Sequence, residues 1–411
     1  MFIWSYRQSL SYLKTMTGVG VVVAGMFMIS ALSSPPAQAS TDVPTVADYA
    51  FVTDFSSGRI LLEKQKDAPM KPASMAKIMT AYIVFERIAE GSLSLSDQFV
   101  VSEKAWKMGG SRSFLQAGRS YSLDELLHGL IVQSGNDAAV VIAEGISGSE
   151  ENFTAEMNMT AAKLGMKNTR FMNATGWPHP DLTTTAEDLA VLATALIRDF
   201  PPDRHPDLYP IFKKKTYTLN KIKQGNRNPL LYGKSADNNG VDGLKTGYTS
   251  ESGYGLVASA ERDGQRVIMV LNGMDSKKER SSESRRLMDF IFREYRGYNF
   301  FAAGEVIEKA EVWLGDARYV SLILADDFSK VLSRTERAKT EVSVIWSGPV
   351  PAPISKGQKI GELLVKTDGV ITDRLPLVAD ADVGQLGMLD RIGEALKYLI
   401  FGAPVQTTAQ N

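Results

Sequence analysis

The sequence predicts a mixed α/β protein of the α+β type: an antiparallel sheet flanked by helices, an all-helical lobe, and then a small all-β domain. Three observations support this class. Strand-like runs lie at 49–64 and 244–272, helical periodicity fills most of the sequence between them, and alternating apolar and polar residues return at 305–383. The 411 residues exceed the usual size of one domain, so two folded domains are expected.

Residues 1–39 have the pattern of an export signal. Arg7 and Lys14 precede an apolar run from Gly18 to Leu32, and Ala37-Gln38-Ala39 supplies small residues for cleavage after Ala39. The alternative is a permanent membrane anchor, but the apolar run is shorter than the ~20 residues that span a bilayer. We therefore expect the signal to be removed and the remaining chain to face outward.

Composition excludes several classes of function. The 46 basic and 47 acidic side chains give a net charge of -1, so no overall field attracts nucleic acid. The absence of cysteine excludes disulfides, thiol nucleophiles and thiolate metal sites. The three histidines lack the spacing of metal ligands, so neither a metal nor any other cofactor is expected.

The first elements are a hairpin and a helix. Tyr49–Asp54 and Arg59–Lys64 read as two strands around a Ser-Ser-Gly turn. Pro72 then precedes Ser74–Ala89, whose apolar residues recur at helical spacing, so one long helix is predicted there. Helical periodicity continues across 123–198, with Thr185 as a candidate cap. The middle of the chain is therefore predicted to form the helical lobe.

Strand patterns return after this lobe. Gly255–Ala260 and Arg266–Leu271 flank Asp263-Gly264, a strong hairpin signal, so the sheet should take strands from both ends of its domain. A helix over roughly 277–295 should close this domain, which we assign to 40–297. A boundary near 297–304 then separates it from an all-β domain at 304–385.

A terminal helix is predicted at 386–402, before a disordered tail at 403–411. Its apolar residues fall on one face: Met388, Leu389, Ile392, Leu396, Leu399 and Ile400. This face suits packing on the β domain and a membrane interface equally, so both alternatives stay open at this point.

Three short motifs carry the candidate chemistry. In order along the chain they are Ser74-Met75-Ala76-Lys77, Ser134-Gly135-Asn136 and Lys245-Thr246-Gly247. A serine three residues before a lysine arises about once or twice by chance in such a chain, and a Lys-Thr-Gly triplet in roughly one chain of ten. Their order and structural contexts together make coincidence improbable.

The first motif suits an activated serine nucleophile. Residues three apart share one helix face, so the Lys77 amine can lie beside the Ser74 hydroxyl and act as its base. The lysine must then be neutral, which requires burial and a nearby cation to lower its pKa from about 10.4. Lys245 is the candidate cation. The Ser74 amide, at the start of a helix, can stabilise a developing oxyanion.

The second motif has two interpretations. Ser134 can relay a proton to the departing amine, and Asn136 can hold the substrate amide. A Ser-Gly-Asn-Asp run is also ordinary turn composition. Its position between the two other motifs favours the catalytic interpretation.

With these motifs the chain resembles the D-alanyl-D-alanine carboxypeptidases, which are low-molecular-mass penicillin-binding proteins with a C-terminal β domain and an amphipathic anchor. The resemblance covers nearly the whole chain. It extends to four further runs: Gln133-Ser134-Gly135-Asn136-Asp137, Leu196-Ile197-Arg198-Asp199, Asn226-Arg227-Asn228 and Val241-Asp242-Gly243-Leu244-Lys245-Thr246-Gly247. It implies a penicillin-binding, serine β-lactamase-like fold for the first domain.

The resemblance also implies roles for individual residues. Ser74 would be the acylated nucleophile, Lys77 its base, and Ser134 with Asn136 the second element. The strand element that contacts substrate would comprise Lys245, Thr246, Gly247 and Tyr248, and the amides of Ser74 and Tyr248 would form the oxyanion hole.

Two arginines and two aromatic residues are more ambiguous. Arg198 and Arg266 match positions that the family ties to the substrate carboxylate, although Arg198 also ends a helix, where a cation is favoured anyway, and a hairpin arginine such as Arg266 is often solvated surface. Relatives often carry a smaller residue or histidine at Tyr248, so substrate preference is open. Trp177 is expected to pack in the helical lobe.

The implied function is a serine-type D-Ala-D-Ala carboxypeptidase that removes the terminal D-alanine from peptidoglycan pentapeptides. β-Lactams would be covalent inhibitors, and the enzyme would lie in the periplasm, held on the outer face of the inner membrane by the C-terminal helix. A transpeptidase, an endopeptidase and a non-catalytic wall-binding protein are alternatives. A class A β-lactamase is disfavoured, because no glutamate from Glu144 to Glu187 has asparagine four residues later.

Overall fold

The structure is a computed structural model that describes residues 43–232, 239–388, 390, 392 and 393. The signal predicted at 1–39 lies outside these residues. Of the helix predicted at 386–402, residues 388, 390, 392 and 393 are described and helical, whereas its remaining turns and the predicted tail lie outside the described residues. Within the described ranges no helix is both long and apolar enough to cross a bilayer.

The elements of the described chain are as follows. The strands are β1 Tyr49–Asp54, β2 Ile60–Lys64, β3 Gln98–Val100, β4 Ser120–Ser122, β5 Thr216–Leu219, β6 Ile222–Gly225, β7 Val241–Thr249, β8 Gly253–Arg262, β9 Gln265–Met274, β10 Tyr295–Phe301, β11 Val306–Trp313, β12 Tyr319–Ile323, β13 Phe328–Ser333, β14 Thr340–Trp346, β15 Val350–Pro351, β16 Lys359–Thr367 and β17 Val370–Ala379. The α-helices are α1 Lys77–Ala89, α2 Glu103–Lys107, α3 Leu123–Ile131, α4 Asn136–Ser147, α5 Glu150–Leu164, α6 Ala186–Asp199, α7 Lys277–Glu294 and α8 Arg334–Ala338.

A five-stranded antiparallel sheet forms the centre of the first part of the chain, in the order β2-β1-β9-β8-β7. Both predicted hairpins, β1–β2 and β8–β9, are confirmed, as is a sheet built from both ends of the domain. Both faces of the sheet are covered. On β9, Ile268 and Val270 belong to the core that includes α1 and α6, whereas Met269 and Leu271 pack with α7. This double burial explains the nearly continuous apolar run of β9.

The helical lobe is confirmed, and α3, α5 and α6 begin at side-chain caps. Ser122 and Glu125 form a capping box at the start of α3, and the predicted cap Thr185 accepts a hydrogen bond from the Asp188 amide at the start of α6. The turn between α3 and α4, which contains Ser134, lies beside strand β7, since the Lys245 amine of β7 donates to the Ser134 hydroxyl.

The start of the first helix differs from the prediction. Ala73–Ala76 form a 3₁₀ turn and the α-helix begins only at Lys77, so Ser74 precedes α1 rather than belonging to it. Side chains three residues apart eclipse each other in a 3₁₀ turn. This geometry brings the side chain of Lys77 over Ser74 more directly than a regular α-helix does.

The second part of the chain is built mainly of strands. A six-stranded sheet has the order β14-β16-β17-β12-β11-β15, and β10 pairs with β13. Its core is separate from those of the five-stranded sheet and contains Leu322, Leu363 and Leu377. Arg59 of the first hairpin donates to the Val331 carbonyl and pairs with Glu336 at 2.5 Å, which joins the two parts of the chain.

Candidate active site

Ser74 lies where the 3₁₀ turn meets the edge strand β7. Gly247 permits this close approach, because a Cβ atom at that position would lie 2.8 Å from the Pro72 carbonyl oxygen. The preceding residue, Ala73, has φ of +46°, a left-handed conformation that disfavours residues other than glycine. The Ser74 hydroxyl lies 3.0 Å from the Lys77 amine.

The Lys77 amine is buried and has three hydrogen-bond partners. Besides Ser74, they are the Asn136 side-chain oxygen at 2.7 Å and the Thr175 carbonyl oxygen at 2.6 Å. Both oxygens are acceptors only, so a neutral amine donates its two hydrogens to them. Its remaining lone pair then faces the Ser74 hydroxyl. This is the arrangement that a base for Ser74 requires.

The electrostatics favour the same protonation state. Burial and, after it, the charge of Arg227 lower the pKa of Lys77 to about 7, while Asp137 acts in the opposite direction. The sequence analysis expected Lys245 to supply this charge. Burial, the charge of Lys77, and then Arg227 and Arg280 instead lower the pKa of Lys245 itself well below its usual value.

The second and third motifs meet directly. The Lys245 amine donates to the Ser134 hydroxyl at 2.8 Å, and both side chains are buried. Ser134 has φ of +61°, so its backbone in the turn before α4 is held in a strained, left-handed conformation. Strain of this kind persists only where the surrounding structure enforces it, which fits a functional position.

Asn136 links the second motif to the first. Its amide nitrogen donates to the Gly109 carbonyl at 2.8 Å, which turns the amide oxygen toward Lys77. The sequence analysis expected Asn136 to hold the substrate amide, and in this structure both ends of its side chain have protein partners. The next residue, Asp137, accepts backbone hydrogen bonds from Ser113 and Leu115 and so fixes the neighbouring loop.

The structure does not bring Arg198 or Arg266 to Ser74. Arg198 is exposed at the end of α6 and pairs with Asp199 at 2.9 Å. Arg266 pairs with Asp242 at 2.7 Å and Glu261 at 2.5 Å, at the hairpin end of β8–β9. These guanidinium groups are already neutralised by carboxylates away from the nucleophile. The expected role in binding the substrate carboxylate is therefore corrected.

Arg280 and Arg227 are the arginines beside the site, and the sequence analysis gave neither a role. Arg280 is buried and approaches the carbonyl oxygens of Gly247 and Gly255 at 3.5 and 3.4 Å. In the described part of the chain it pairs with no carboxylate, and its Nε has no hydrogen-bond partner. Burial lowers the pKa of Arg280 to about 10, with a further contribution from Arg227, so it stays charged at neutral pH.

A signal for Arg280 was present in the sequence. Leu287 and Ile291 lie on the buried face of α7, and Arg280 falls on that same face two turns before Leu287 and three turns before Ile291. A cation on the apolar face of an amphipathic helix needs a partner or a ligand. The helical pattern predicted α7, but the charged residue on its apolar face was not interpreted as a candidate for ligand binding.

Tyr248 and Trp177 both border the site. The ring of Tyr248 is half exposed and stacks on Tyr254 at a centroid distance of 4.1 Å, and the Arg280 guanidinium lies 5.6 Å from the Tyr254 ring centre. Trp177 is not packed in the lobe as expected. Its half-exposed indole lies against Gly109 and Gly110, where an added Cβ would approach the ring to 3.3 and 3.0 Å. Both rings are therefore exposed beside residues of the site.

The fold and this geometry are those of a serine hydrolase of the penicillin-binding type. A family model described as "D-alanyl-D-alanine carboxypeptidase" matches residues 36–276, and one described as "Penicillin-binding protein 5, C-terminal domain" matches residues 295–385. The chain belongs to the D-alanyl-D-alanine carboxypeptidase family.

Individual relatives agree with this assignment. D-alanyl-D-alanine carboxypeptidase DacC of Escherichia coli (strain K12) is 34% identical over 389 residues, which cover 93% of this chain and 95% of that protein. The structure of penicillin binding protein 5 from Haemophilus influenzae aligns with a TM-score of 0.68 and 34% identity, covering 84% of this chain and 99% of its own. Penicillin-Binding Protein D2 from Listeria monocytogenes, in its ampicillin-bound form, aligns with a TM-score of 0.54 and 30% identity, covering 61% and 99%.

Proposed function

We propose that this chain is a serine-type D-Ala-D-Ala carboxypeptidase that removes the terminal D-alanine from peptidoglycan pentapeptides. The observation that carries the proposal is the buried Lys77 amine, which lies 3.0 Å from the Ser74 hydroxyl and has two acceptor oxygens at 2.7 and 2.6 Å. Family membership supports the choice of substrate, because the relatives bear this activity in their names.

The first half of the reaction forms an acyl-enzyme. Lys77 takes the Ser74 proton as the hydroxyl oxygen attacks the carbonyl carbon between the two D-alanines. The amides of Ser74 and Tyr248 stabilise the oxyanion of the tetrahedral intermediate. When the carbon–nitrogen bond breaks, Ser134, hydrogen-bonded to Lys245, passes its proton to the departing amine. Ser134 is reprotonated with the proton that Lys77 took from Ser74, so Lys77 is neutral again when the acyl-enzyme has formed. D-Alanine leaves, and the shortened peptide remains as an ester on Ser74.

The second half of the reaction hydrolyses the acyl-enzyme and restores the free enzyme. A water molecule loses a proton to Lys77 and attacks the ester, and Ser74 regains its proton as the tetrapeptide acid departs. The sum is one peptide bond hydrolysed by one water. A β-lactam acylates Ser74 in the same way, but its broken amide stays tethered by the ring, which keeps the leaving amine in the cleft.

Substrate orientation follows from β7 and Arg280. β7 is the edge of its sheet, so an extended peptide can lie along it as an added strand. The unneutralised guanidinium of Arg280, beside Gly247, supplies the cation that a free C-terminal carboxylate needs. Arg227 adds positive charge to the same region, as its effect on Lys77 indicates. These two arginines replace Arg198 and Arg266 in the proposal.

The proposed reaction is tested by the products of a diacyl-D-alanyl-D-alanine peptide incubated with the chain and a competing amine. Release of free D-alanine with the hydrolysed peptide as the main second product is expected. If the aminolysis product dominates, the chain is a transpeptidase instead. Uncleaved peptide would point to the wall-binding alternative.

We further propose that the chain works in the periplasm with its C-terminal helix on the inner membrane, and that it divides into a peptidase domain at 40–297 and a β domain at 304–385. The signal pattern at 1–39 and the apolar face from Met388 to Ile400 support the location. The full chain should co-sediment with anionic phospholipid vesicles, whereas a chain ended at Val383 should stay in the supernatant. Equal sedimentation of both would refute the anchor.

A further inference from the structure

A five-residue turn, Asn173–Trp177, is organised by the side chain at its first position. The Asn173 side-chain oxygen accepts hydrogen bonds from the Thr175 amide at 3.2 Å, the Thr175 hydroxyl at 2.9 Å and the Trp177 amide at 2.9 Å. Its side-chain nitrogen donates to the Trp177 carbonyl at 3.0 Å. One half-buried side chain thus satisfies four groups of a turn that belongs to no helix or strand.

This turn presents two backbone carbonyls to α1, the helix that begins at Lys77. The Thr175 carbonyl accepts from Lys77 at 2.6 Å, the shortest of the three contacts of that amine. The Ala174 carbonyl accepts from the Thr80 hydroxyl at 2.8 Å, one turn farther along α1. Two consecutive carbonyls are therefore aligned along α1. We call the four hydrogen bonds of the Asn173 side chain the clasp, and two of them hold Thr175, the residue whose carbonyl contacts Lys77.

The same turn supports the strained residue before the nucleophile. Gly176 has φ of +75°, and a Cβ atom there would lie 1.7 Å from the Ala73 carbonyl oxygen. The backbones of Gly176 and Ala73 therefore touch directly, and only glycine permits that contact. Because Ala73 itself has a positive φ, this contact helps to hold the conformation that presents Ser74.

The last residue of the turn, Trp177, supports Asn136, the other acceptor of the Lys77 amine. The Trp177 indole covers Gly109 and Gly110, and the Gly109 carbonyl holds the nitrogen of Asn136. That bond turns the Asn136 oxygen toward Lys77. Both acceptors of the Lys77 amine thus depend on the Asn173–Trp177 turn, one directly and one through the indole.

We propose that Asn173 is a positioning residue for the base: by clasping the turn it fixes the Thr175 carbonyl on the Lys77 amine and so keeps the lone pair of that amine on the Ser74 hydroxyl. The role rests on the function proposed above. Without the clasp, the Thr175 carbonyl is free to move, and the amine loses one of the two acceptors that define its orientation.

The variant Asn173→Ala should acylate Ser74 with penicillin about 10²-fold more slowly at saturation, which is the cost of misplacing a reacting group by about 1 Å. The half-saturating penicillin concentration should be unchanged, because the Asn173 side chain directs its hydrogen bonds to groups of its own turn. A carbonyl acceptor favours the charged amine, so its loss should also move the rising limb of the pH–rate profile to lower pH. Asn173→Asp keeps the accepting oxygen and should recover most of the rate, with the limb moved to higher pH by the added negative charge.

Asn158→Ala is the matched control. The Asn158 side chain likewise binds a backbone segment just before the turn, with hydrogen bonds to Phe171 at 2.8 and 2.9 Å. Among the described residues it has no hydrogen bond to the Asn173–Trp177 turn. It should acylate at the wild-type rate with an unmoved profile, whatever its melting temperature. The proposal is overturned if Asn173→Ala matches wild type, or if its rate falls with an unmoved profile and no recovery in Asn173→Asp. A wild-type chain that forms no Ser74 adduct would instead contradict the proposed function itself.

Discussion

Replacing Lys77 by alanine should slow the acylation of Ser74 by penicillin about 10³-fold, within the range of 10²–10⁴ that positioned bases contribute. The hydroxyl would keep its place but lose the only amine within hydrogen-bond distance in the described structure. In the wild-type chain the base must first lose a proton, so the rate should rise as the pH passes about 7, where burial sets the pKa of Lys77. The variant should lack this rising limb. Adduct formation followed by quenched mass spectrometry across pH 5–9 measures both effects.

Lys64→Ala provides the control for the Lys77 variant. Lys64 also donates to two backbone carbonyls, those of Thr45 and Ala47, but it lies on β2 at the sheet edge opposite β7. Its loss removes a lysine and its hydrogen bonds without changing the site. Near wild-type acylation is expected. Equal acylation rates in the Lys77→Ala variant and the wild-type chain would assign the base to another group.

The second large effect is expected from Arg280→Ala. A hydrogen bond to a charged group is worth about 1.5–3 kcal/mol, so kcat/KM for a peptide with a free C-terminal carboxylate should fall about 10- to 10²-fold. The same peptide with an amidated C-terminus has no carboxylate to lose. Its cleavage should be slow in the wild-type chain and little changed in the variant.

The two-peptide comparison separates recognition from structural damage. If Arg280 only supports the β7–β8 backbone through Gly247 and Gly255, both peptides should be affected equally. Arg198→Ala and Arg266→Ala remove guanidiniums that already pair with Asp199 and Asp242, and should leave the ratio of the two peptides unchanged. A changed ratio in either of these variants, with none in Arg280→Ala, would restore the assignment made from sequence.

Local patterns were sufficient to predict the elements of the fold. The hairpin around Asp263-Gly264, the capping residue Thr185 and the helix of residues 277–294 follow from turn chemistry, capping and periodicity, which act within a few neighbouring residues. The order of the three motifs, together with the family resemblance, also indicated that Ser74, Ser134 and Lys245 meet in one site. The bonds from Lys77 to Ser74 and Asn136, and from Lys245 to Ser134, agree with that expectation.

The contacts that complete the site depend on residues distant in the sequence. Thr175 lies 98 residues beyond Lys77, and Arg280 lies 33 beyond Gly247, so neither contact leaves a periodic or spaced pattern. The resemblance proposed Arg198 and Arg266 because they matched positions that the family ties to the substrate carboxylate, but each has a carboxylate partner that only the folded chain reveals. Charge pairing across the fold therefore decides which arginine stays available for an anion.

The most direct test is the mass of the chain spanning residues 40–385 after incubation with penicillin, followed by peptide mapping. An added mass equal to one penicillin, located on the peptide that contains Ser74 and absent from Ser74→Ala, is the expected result. It would establish the acyl-enzyme on which the proposed mechanism depends. An unmodified chain, or an adduct on any other residue, would contradict Ser74 as the nucleophile.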